Sequence, residues 1–220
     1  VYKKYIRFRF QRDSLKNFKI FMKIGIDFDN TLVQYDELFY KIAIEKDLIP
    51  IDLERKKTSI RDYLNKNNKG TIFTELQGEV YGKRIIEANP TPGSISAVKR
   101  LVEQGYDIKI ISHKTKFPYL GYKYNLHDAA MSWLDSNEYF LSSGINLKKE
   151  NVFFNTSRDK KIKLIHKFKC DYFIDDLPDI LQSLNDEIKK ILYYPYFNNT
   201  YSEFLLLKDW QYLDLLVNQE

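Results

Sequence analysis

The stretch KIGIDFDNTLV, residues 23 to 33, decides the fold. Its apolar first half has the length and composition of a short buried β-strand, and two aspartates, Asp27 and Asp29, follow at once. An ionised carboxylate that is buried without a partner is strongly destabilising. The pair therefore needs a cation, a helix to cap or a chemical role, and it predicts a site at this end of the strand.

Short apolar runs alternate with helical patterns along most of the chain. The runs that resemble buried strands are residues 23–28, 107–112, 151–154, 171–174 and 190–194. The helical patterns between and after them are residues 94–105, 125–139, 159–168 and 177–187. This alternation predicts an α/β fold with a doubly wound parallel sheet, in which ligands bind at the carboxyl ends of the strands.

Residues 34–91 interrupt the alternation, because they contain helical patterns and no convincing core strand. They lie between the first strand and the helix that leads to the second. We therefore expect a small helical cap at 34–91, inserted into a core made of 22–33 and 92–220. A helical lid above a strand-end site can exclude water and select substrates.

The formal charge of +5 is unevenly distributed. Residues 1–21 hold seven Lys/Arg and a single acid, whereas the other 199 residues hold 28 Lys/Arg and 29 acids. We interpret 1–21 as a basic extension that the fold does not need; a nucleic-acid-binding arm is the alternative. The nearly neutral body gives no reason to expect nucleic acid as a partner.

Membrane insertion is not expected, because the chain contains no apolar run of about 18 residues. A single cysteine, Cys170, excludes an intramolecular disulfide and a cysteine-rich metal site. These features predict a soluble, cytoplasmic protein in which Cys170 fills the core.

Four motifs resemble those of the haloacid dehalogenase-like (HAD) superfamily, and they occur in that family's order. DFDNTL at 27–32 is similar to its first motif, D-x-D-x-T-L. IIS ends at Ser112, a lysine follows at Lys160 or Lys161, and FIDD ends with Asp175 and Asp176. The resemblance covers about residues 22–195 and implies a Rossmann-like core and a Mg²⁺-dependent phosphatase or phosphotransferase.

The resemblance also implies a role for each motif residue. Asp27 would be the nucleophile that forms an aspartyl-phosphate, and Asp29 would be the general acid and base. Ser112 and Lys161 would bind phosphate oxygens; Lys161 is preferred to Lys160 for its spacing to the apolar positions of its helix. The expected Mg²⁺ site consists of Asp27, Asp175, Asp176 and the backbone carbonyl of Asp29; Asp175 would bind the ion directly, and Asp176 would act through a water or from the outer coordination shell.

Ser112 is followed directly by His113 and Lys114. Many family members carry an asparagine at this point, so the two residues differ from the family pattern. We predict that they contact the substrate or that the His113 ring relays a proton; the alternative is that they only orient the loop. His127 and His166 show no spacing typical of metal ligands, and they are predicted to be packing or helix-surface residues.

The aspartate at position 29 favours phosphomonoesters, because by resemblance dehalogenases lack it and ion pumps carry threonine there. The predicted substrate is a small soluble phosphorylated metabolite, either a nucleotide or a sugar phosphate. The alternatives are a phosphotransferase or mutase of the same fold and a catalytically silent binding module. A receiver domain of two-component signalling has similar residues but a different motif order. A purely structural alternative is that the two pairs of aspartates cap helices.

Overall fold

The computed structural model describes residues 22–195 and 201–218. Its strands are β1 Lys23–Ile26, β2 Val33–Gln34, β3 Asn89–Pro90, β4 Asp107–His113, β5 Val152–Asn155, β6 Tyr172–Asp175, β7 Lys189–Tyr193 and β8 Leu205–Leu207. Six of them form one parallel sheet in the order β5-β4-β1-β6-β7-β8. The predicted basic extension, 1–21, lies outside the described residues.

The described part of the chain contains eight α-helices, three of them within the segment 34–91. They are α1 Asp36–Glu45, α2 Lys57–Lys66, α3 Gly70–Gly78, α4 Ser94–Glu103, α5 Leu126–Ser136, α6 Arg158–Phe168, α7 Pro178–Gln182 and α8 Leu213–Val217. A π-helical turn, Glu79–Lys83, extends α3. None of the described helices is both long and apolar enough to cross a membrane.

The topology confirms the predicted doubly wound α/β fold. The chain adds β4 and β5 on one side of β1 and then β6, β7 and β8 on the other side, so the direction of winding reverses at β1. Ile24 and Ile26 of β1 are fully buried in the core. A crevice at the carboxyl end of β1 is therefore the expected ligand site.

The five predicted strands are present, with small changes at their ends. The C-terminal edge strand β8 was not predicted, since three leucines in a row at 205–207 carry no alternation. The helix predicted at 177–187 is wrong in its length, because α7 ends at Gln182 and Ser183 is its C-cap. The polar stretch that follows, NDE at 185–187, is not helical.

The segment 34–91 contains α1, α2 and α3, and its two ends are paired. Strand β2 runs antiparallel to β3, with Val33 opposite Pro90 and Gln34 opposite Asn89. Inside the segment, Phe39 and Phe73 stack with ring centroids 5.8 Å apart. Its last turn is tied to α5, because the Trp133 indole N–H donates to the Ala88 carbonyl at 2.8 Å.

Candidate active site

Four polar residues from the motifs lie at or near the carboxyl ends of β1, β4 and β6. Asp27 follows β1, Ser112 is the penultimate residue of β4 and Asp175 is the last residue of β6. Lys161, on the first turn of α6, completes the group. All four are at most 4% exposed, so the chain buries four polar groups where sheet packing alone would need apolar ones.

The Lys161 ammonium lies between two carboxylates. It donates to Asp27 Oδ1 at 2.6 Å and to Asp175 Oδ2 at 2.5 Å. Burial acts to lower the pKa of Lys161, but the two aspartates outweigh it and hold that pKa above its usual range. Lys160, the alternative lysine, is exposed, and its ammonium lies 3.5 Å from the Thr156 hydroxyl.

The site gathers three carboxyl groups around one ammonium group. Asp27, Asp175 and Asp176 each bring a carboxylate oxygen within 4.8 Å of the others. Burial raises the pKa of Asp27 to about 7, against the opposing effect of Lys161. Burial, Asp27 and Asp175 together also raise the pKa of Asp176. Three hard oxygen donors with one ammonium among them fit a divalent cation such as Mg²⁺.

Ser112 has a buried hydroxyl that is not hydrogen-bonded. The residue is 1% exposed, and its Oγ has no partner among the described residues. Buried hydroxyls are nearly always hydrogen-bonded in folded proteins, so an unpaired one at a strand end suggests that a ligand supplies the partner. A phosphate oxygen would accept such a hydrogen bond.

Asp29 faces a second cation, Lys114. The Lys114 ammonium donates to Asp29 Oδ1 at 2.8 Å and to Oδ2 at 3.0 Å, and the Tyr35 hydroxyl donates to Oδ1 at 2.6 Å. Lys114 is 4% exposed. Its ammonium also lies 5.0 to 5.9 Å from the centroids of three aromatic rings, Phe28, Tyr35 and Tyr81. Lys114, predicted to contact substrate, thus binds Asp29 in this structure.

His127 contributes to the site in a way that the sequence did not predict. Its Nε2 donates to the backbone carbonyl of Lys114 at 2.8 Å, and its ring lies 5.5 Å from that of Phe154. It therefore helps to fix the loop that carries Lys114. A possible signal was its place in the first turn of α5, directly after that loop. His113 is largely exposed. Its pKa is lowered, mainly because its ring is partly desolvated and secondly because the charge of Lys161 is nearby.

A cavity of about 350 Å³ lies beside Asp176. The start of α2 forms one wall and the end of β7 another. Its lining residues are Asn30, Gln34, Tyr35, Asp36, Lys56, Lys57, Thr58, Arg61, Asp176, Tyr193, Tyr194 and Pro195. Its size is at the lower end of the range for small-molecule sites, and its walls combine cations with aromatic rings.

Two bacterial proteins are similar to this chain over most of its length. A protein of Oceanobacillus iheyensis, named "Putative nucleotidase", is 25% identical over 206 residues, which cover 90% of this chain and 99% of that protein. A "Putative nucleotidase" of Bacillus cereus is 22% identical over 169 residues, which cover 74% of this chain and 80% of that protein. No family model matches the chain.

Several solved structures share the fold of this chain. A HAD-superfamily hydrolase of Geobacter sulfurreducens aligns with a TM-score of 0.56 at 11% identity, over 90% of this chain and 96% of its own. A HAD-superfamily hydrolase of Ehrlichia chaffeensis gives 0.53 at 13% identity, over 89% and 95%. A "predicted phosphoglycolate phosphatase" of Haemophilus somnus gives 0.53 at 14% identity, over 90% and 98%. These comparisons confirm the fold that the four motifs implied: the chain has the fold of the haloacid dehalogenase-like hydrolases.

Proposed function

We propose that this protein is a Mg²⁺-dependent phosphatase that hydrolyses a small phosphomonoester. The observation that carries the proposal is the buried group formed by Asp27, Lys161, Asp175 and the unpaired Ser112 hydroxyl. It contains a nucleophile, a cation and a hydrogen-bond donor within one strand-end crevice. Phosphoryl transfer depends on such positioning and charge neutralisation more than on other covalent chemistry.

In the first step, a carboxylate oxygen of Asp27 attacks phosphorus. The phosphorus–ester oxygen bond breaks, and the leaving oxygen takes a proton from Asp29. Ser112 binds a phosphoryl oxygen, and Lys161 holds Asp27 in place through their hydrogen bond. Bound at Asp27, Asp175 and Asp176, Mg²⁺ would neutralise negative charge on the transferred group.

In the second step, water attacks the phosphorus of the aspartyl-phosphate and Asp29 takes a proton from that water. The bond between Asp27 and phosphorus breaks, which releases inorganic phosphate and restores both aspartates. Because water, and no other acceptor, takes the phosphoryl group, the overall reaction is hydrolysis.

A nucleotide is the substrate class that we favour. Two relatives that are aligned over most of their length bear the name "Putative nucleotidase". The cavity beside Asp176 adds a physical reason, because Tyr35, Tyr193 and Tyr194 line it and aromatic rings suit a planar base. A sugar phosphate would make less use of these rings.

We also propose that 34–91 acts as a cap over the site. Two of its helices contribute to the cavity, through Asp36 of α1 and Lys57 of α2. The paired strands β2 and β3 join its ends to the core. Such a segment can shield an aspartyl-phosphate from bulk water and select the leaving group.

The test is a screen of nucleoside monophosphates and sugar phosphates for phosphate release, with Mg²⁺ and with a chelator. We expect release that requires Mg²⁺, with nucleotides preferred. Asp27→Asn should abolish turnover and keep the fold, whereas the exposed Asp179→Asn should behave as wild type. Turnover by Asp27→Asn would exclude it as the nucleophile.

A further inference from the structure

The two buried lysines of the site, Lys114 and Lys161, already form salt bridges with carboxylates. Lys161 bridges Asp27 and Asp175, and Lys114 is paired with Asp29. An ammonium held by carboxylates has fewer hydrogens to offer an incoming anion. A phosphomonoester dianion is bound best where further charge-assisted hydrogen bonds are available. A third cation near the site would therefore contribute to substrate binding.

Lys57 meets this requirement. It is the first residue of α2, it is half-buried, and it lines the cavity beside Asp176. Its ammonium lies over two aromatic rings, 5.7 Å from the Phe39 centroid and 5.4 Å from the Tyr81 centroid. In the described part of the chain the Lys57 side chain forms no salt bridge. The backbone N–H of Lys57 donates a hydrogen bond to the Asp36 carboxylate.

The charge of Lys57 is incompletely compensated by its surroundings. Burial lowers its pKa, and the attraction of Asp29 and Asp176 opposes that effect without cancelling it. The other cations of the cavity wall differ: Arg61 is exposed and hydrogen-bonds Asp62, and Lys56 pairs with Glu54. An anion beside Lys57 would supply the missing compensation.

We propose that Lys57 is an anion-binding residue that holds an anionic oxygen group of the substrate in the cavity beside Asp176. This inference rests on the proposed phosphatase function and names a specificity-determining contact from α2. The anionic group is either the phosphoryl group that is transferred or a second acidic group on the leaving portion. Both would offer the same chemistry to the ammonium.

The test compares Lys57→Met and Lys57→Gln with wild type. Methionine keeps much of the stem that packs over Phe39 and Tyr81, and glutamine is a second neutral variant in case methionine perturbs the fold. Loss of a hydrogen bond between charged groups predicts a rise in KM of about 10- to 100-fold with kcat within a few-fold of wild type. Lys57→Arg should restore most of the affinity. Lys66→Met, an exposed position on the same helix, is the matched control and should change nothing.

Equilibrium binding of inorganic phosphate, in the presence of Mg²⁺, distinguishes the two sources. If Lys57 holds the transferred group, phosphate affinity should fall in both neutral variants. If it holds a group on the leaving portion, phosphate affinity should stay unchanged, and KM should rise only for substrates with a second acidic group. Unchanged phosphate affinity together with unchanged KM for every substrate would overturn the proposal.

Failure of the phosphatase proposal would look different. A wild-type protein that releases phosphate from no phosphomonoester would refute the proposed function, while phosphate binding would still measure the contribution of Lys57. A phosphatase whose KM and phosphate affinity ignore Lys57 would refute the present inference alone.

Discussion

Lys161 donates one hydrogen bond to Asp27 and one to Asp175, so a single ammonium joins the carboxylates at the ends of β1 and β6. The three residues are at most 4% exposed. The ammonium thus orients the proposed nucleophile and also offsets repulsion between two buried acids. These two effects can be separated experimentally.

Replacement of this lysine, Lys161→Met, should reduce both activity and stability. Removing one partner of a buried ion pair typically costs about 3–5 kcal/mol, because the other charge stays buried and unpaired. Urea unfolding without metal would measure this loss. Lys161→Met combined with Asp27→Asn should recover part of the stability but no activity. Exposed Lys160→Met is the control, and an equal effect there would contradict the bridging role.

Binding of Mg²⁺ should weaken as the pH falls from 8 to 6. In the metal-free protein the pKa of Asp27 is raised to about 7, and a metal must displace the proton that the carboxyl then carries. Calorimetric titration with Mg²⁺ at several pH values measures this. Asp27→Asn should bind Mg²⁺ more weakly and with a flatter pH dependence; an unchanged pH dependence in this variant would remove Asp27 from the ligand set.

The same pKa shift has a consequence for metal-free stability. Between the ordinary carboxyl pKa of 3.8 and about 7, folded Asp27 retains a proton that the unfolded chain has released. Its contribution therefore makes the metal-free protein less stable as the pH rises through this window. Thermal unfolding without metal should show this trend, Asp27→Asn should reduce it, and Mg²⁺ should offset it at pH 8.

The fold was predictable from local patterns, because buried strands and amphipathic helices have distinct periods. Most of the proposed catalytic group was predictable for a related reason. Asp27, Ser112 and Asp175 each lie at or near the end of a strand that can be recognised in the sequence. The pairing of Lys114 with Asp29 was not predictable, since it depends on rings from three different segments and on a loop whose path has no periodicity. The hydrogen bond of His127 to the Lys114 loop was not predictable either, because its partner is a backbone carbonyl, which carries no signal in the sequence.

Substitution of Gly25 in β1 should destabilise the sheet beneath the site. A Cβ at this position would lie 2.5 Å from Phe173 Cδ2 and 3.2 Å from Cys170 Sγ, and both neighbours are buried. We expect Gly25→Ala to cost about 1–3 kcal/mol by overpacking, as measured by urea unfolding. Gly70→Ala is the matched control, because the nearest contact there is the flexible tip of exposed Asn65. It should be neutral or slightly stabilising.

Asp29→Asn should distinguish the proposed acid and base from the nucleophile. General acid–base assistance is worth about 10² to 10⁴ in rate, so turnover of alkyl phosphates should fall by that order. Formation of the aspartyl-phosphate from an aryl phosphate should suffer less, since an aryl leaving group needs little protonation. Because water attack still lacks its base, the phosphoenzyme should accumulate in rapid-quench experiments.

Lys114→Met should reproduce this leaving-group dependence in weaker form. Lys114 and Tyr35 hold the Asp29 carboxylate, so their loss should misplace the proton donor while leaving Asp27 and Ser112 in position. The ratio of alkyl to aryl turnover should therefore fall in Lys114→Met, less in Tyr35→Phe, and not at all in the exposed Lys116→Met. A merely structural role would lower both rates by the same factor. The same comparison applies to Asp29→Asn. If that variant lowered the turnover of alkyl and aryl phosphates by the same factor, proton transfer would have to be assigned to another group, with His113 as the first candidate.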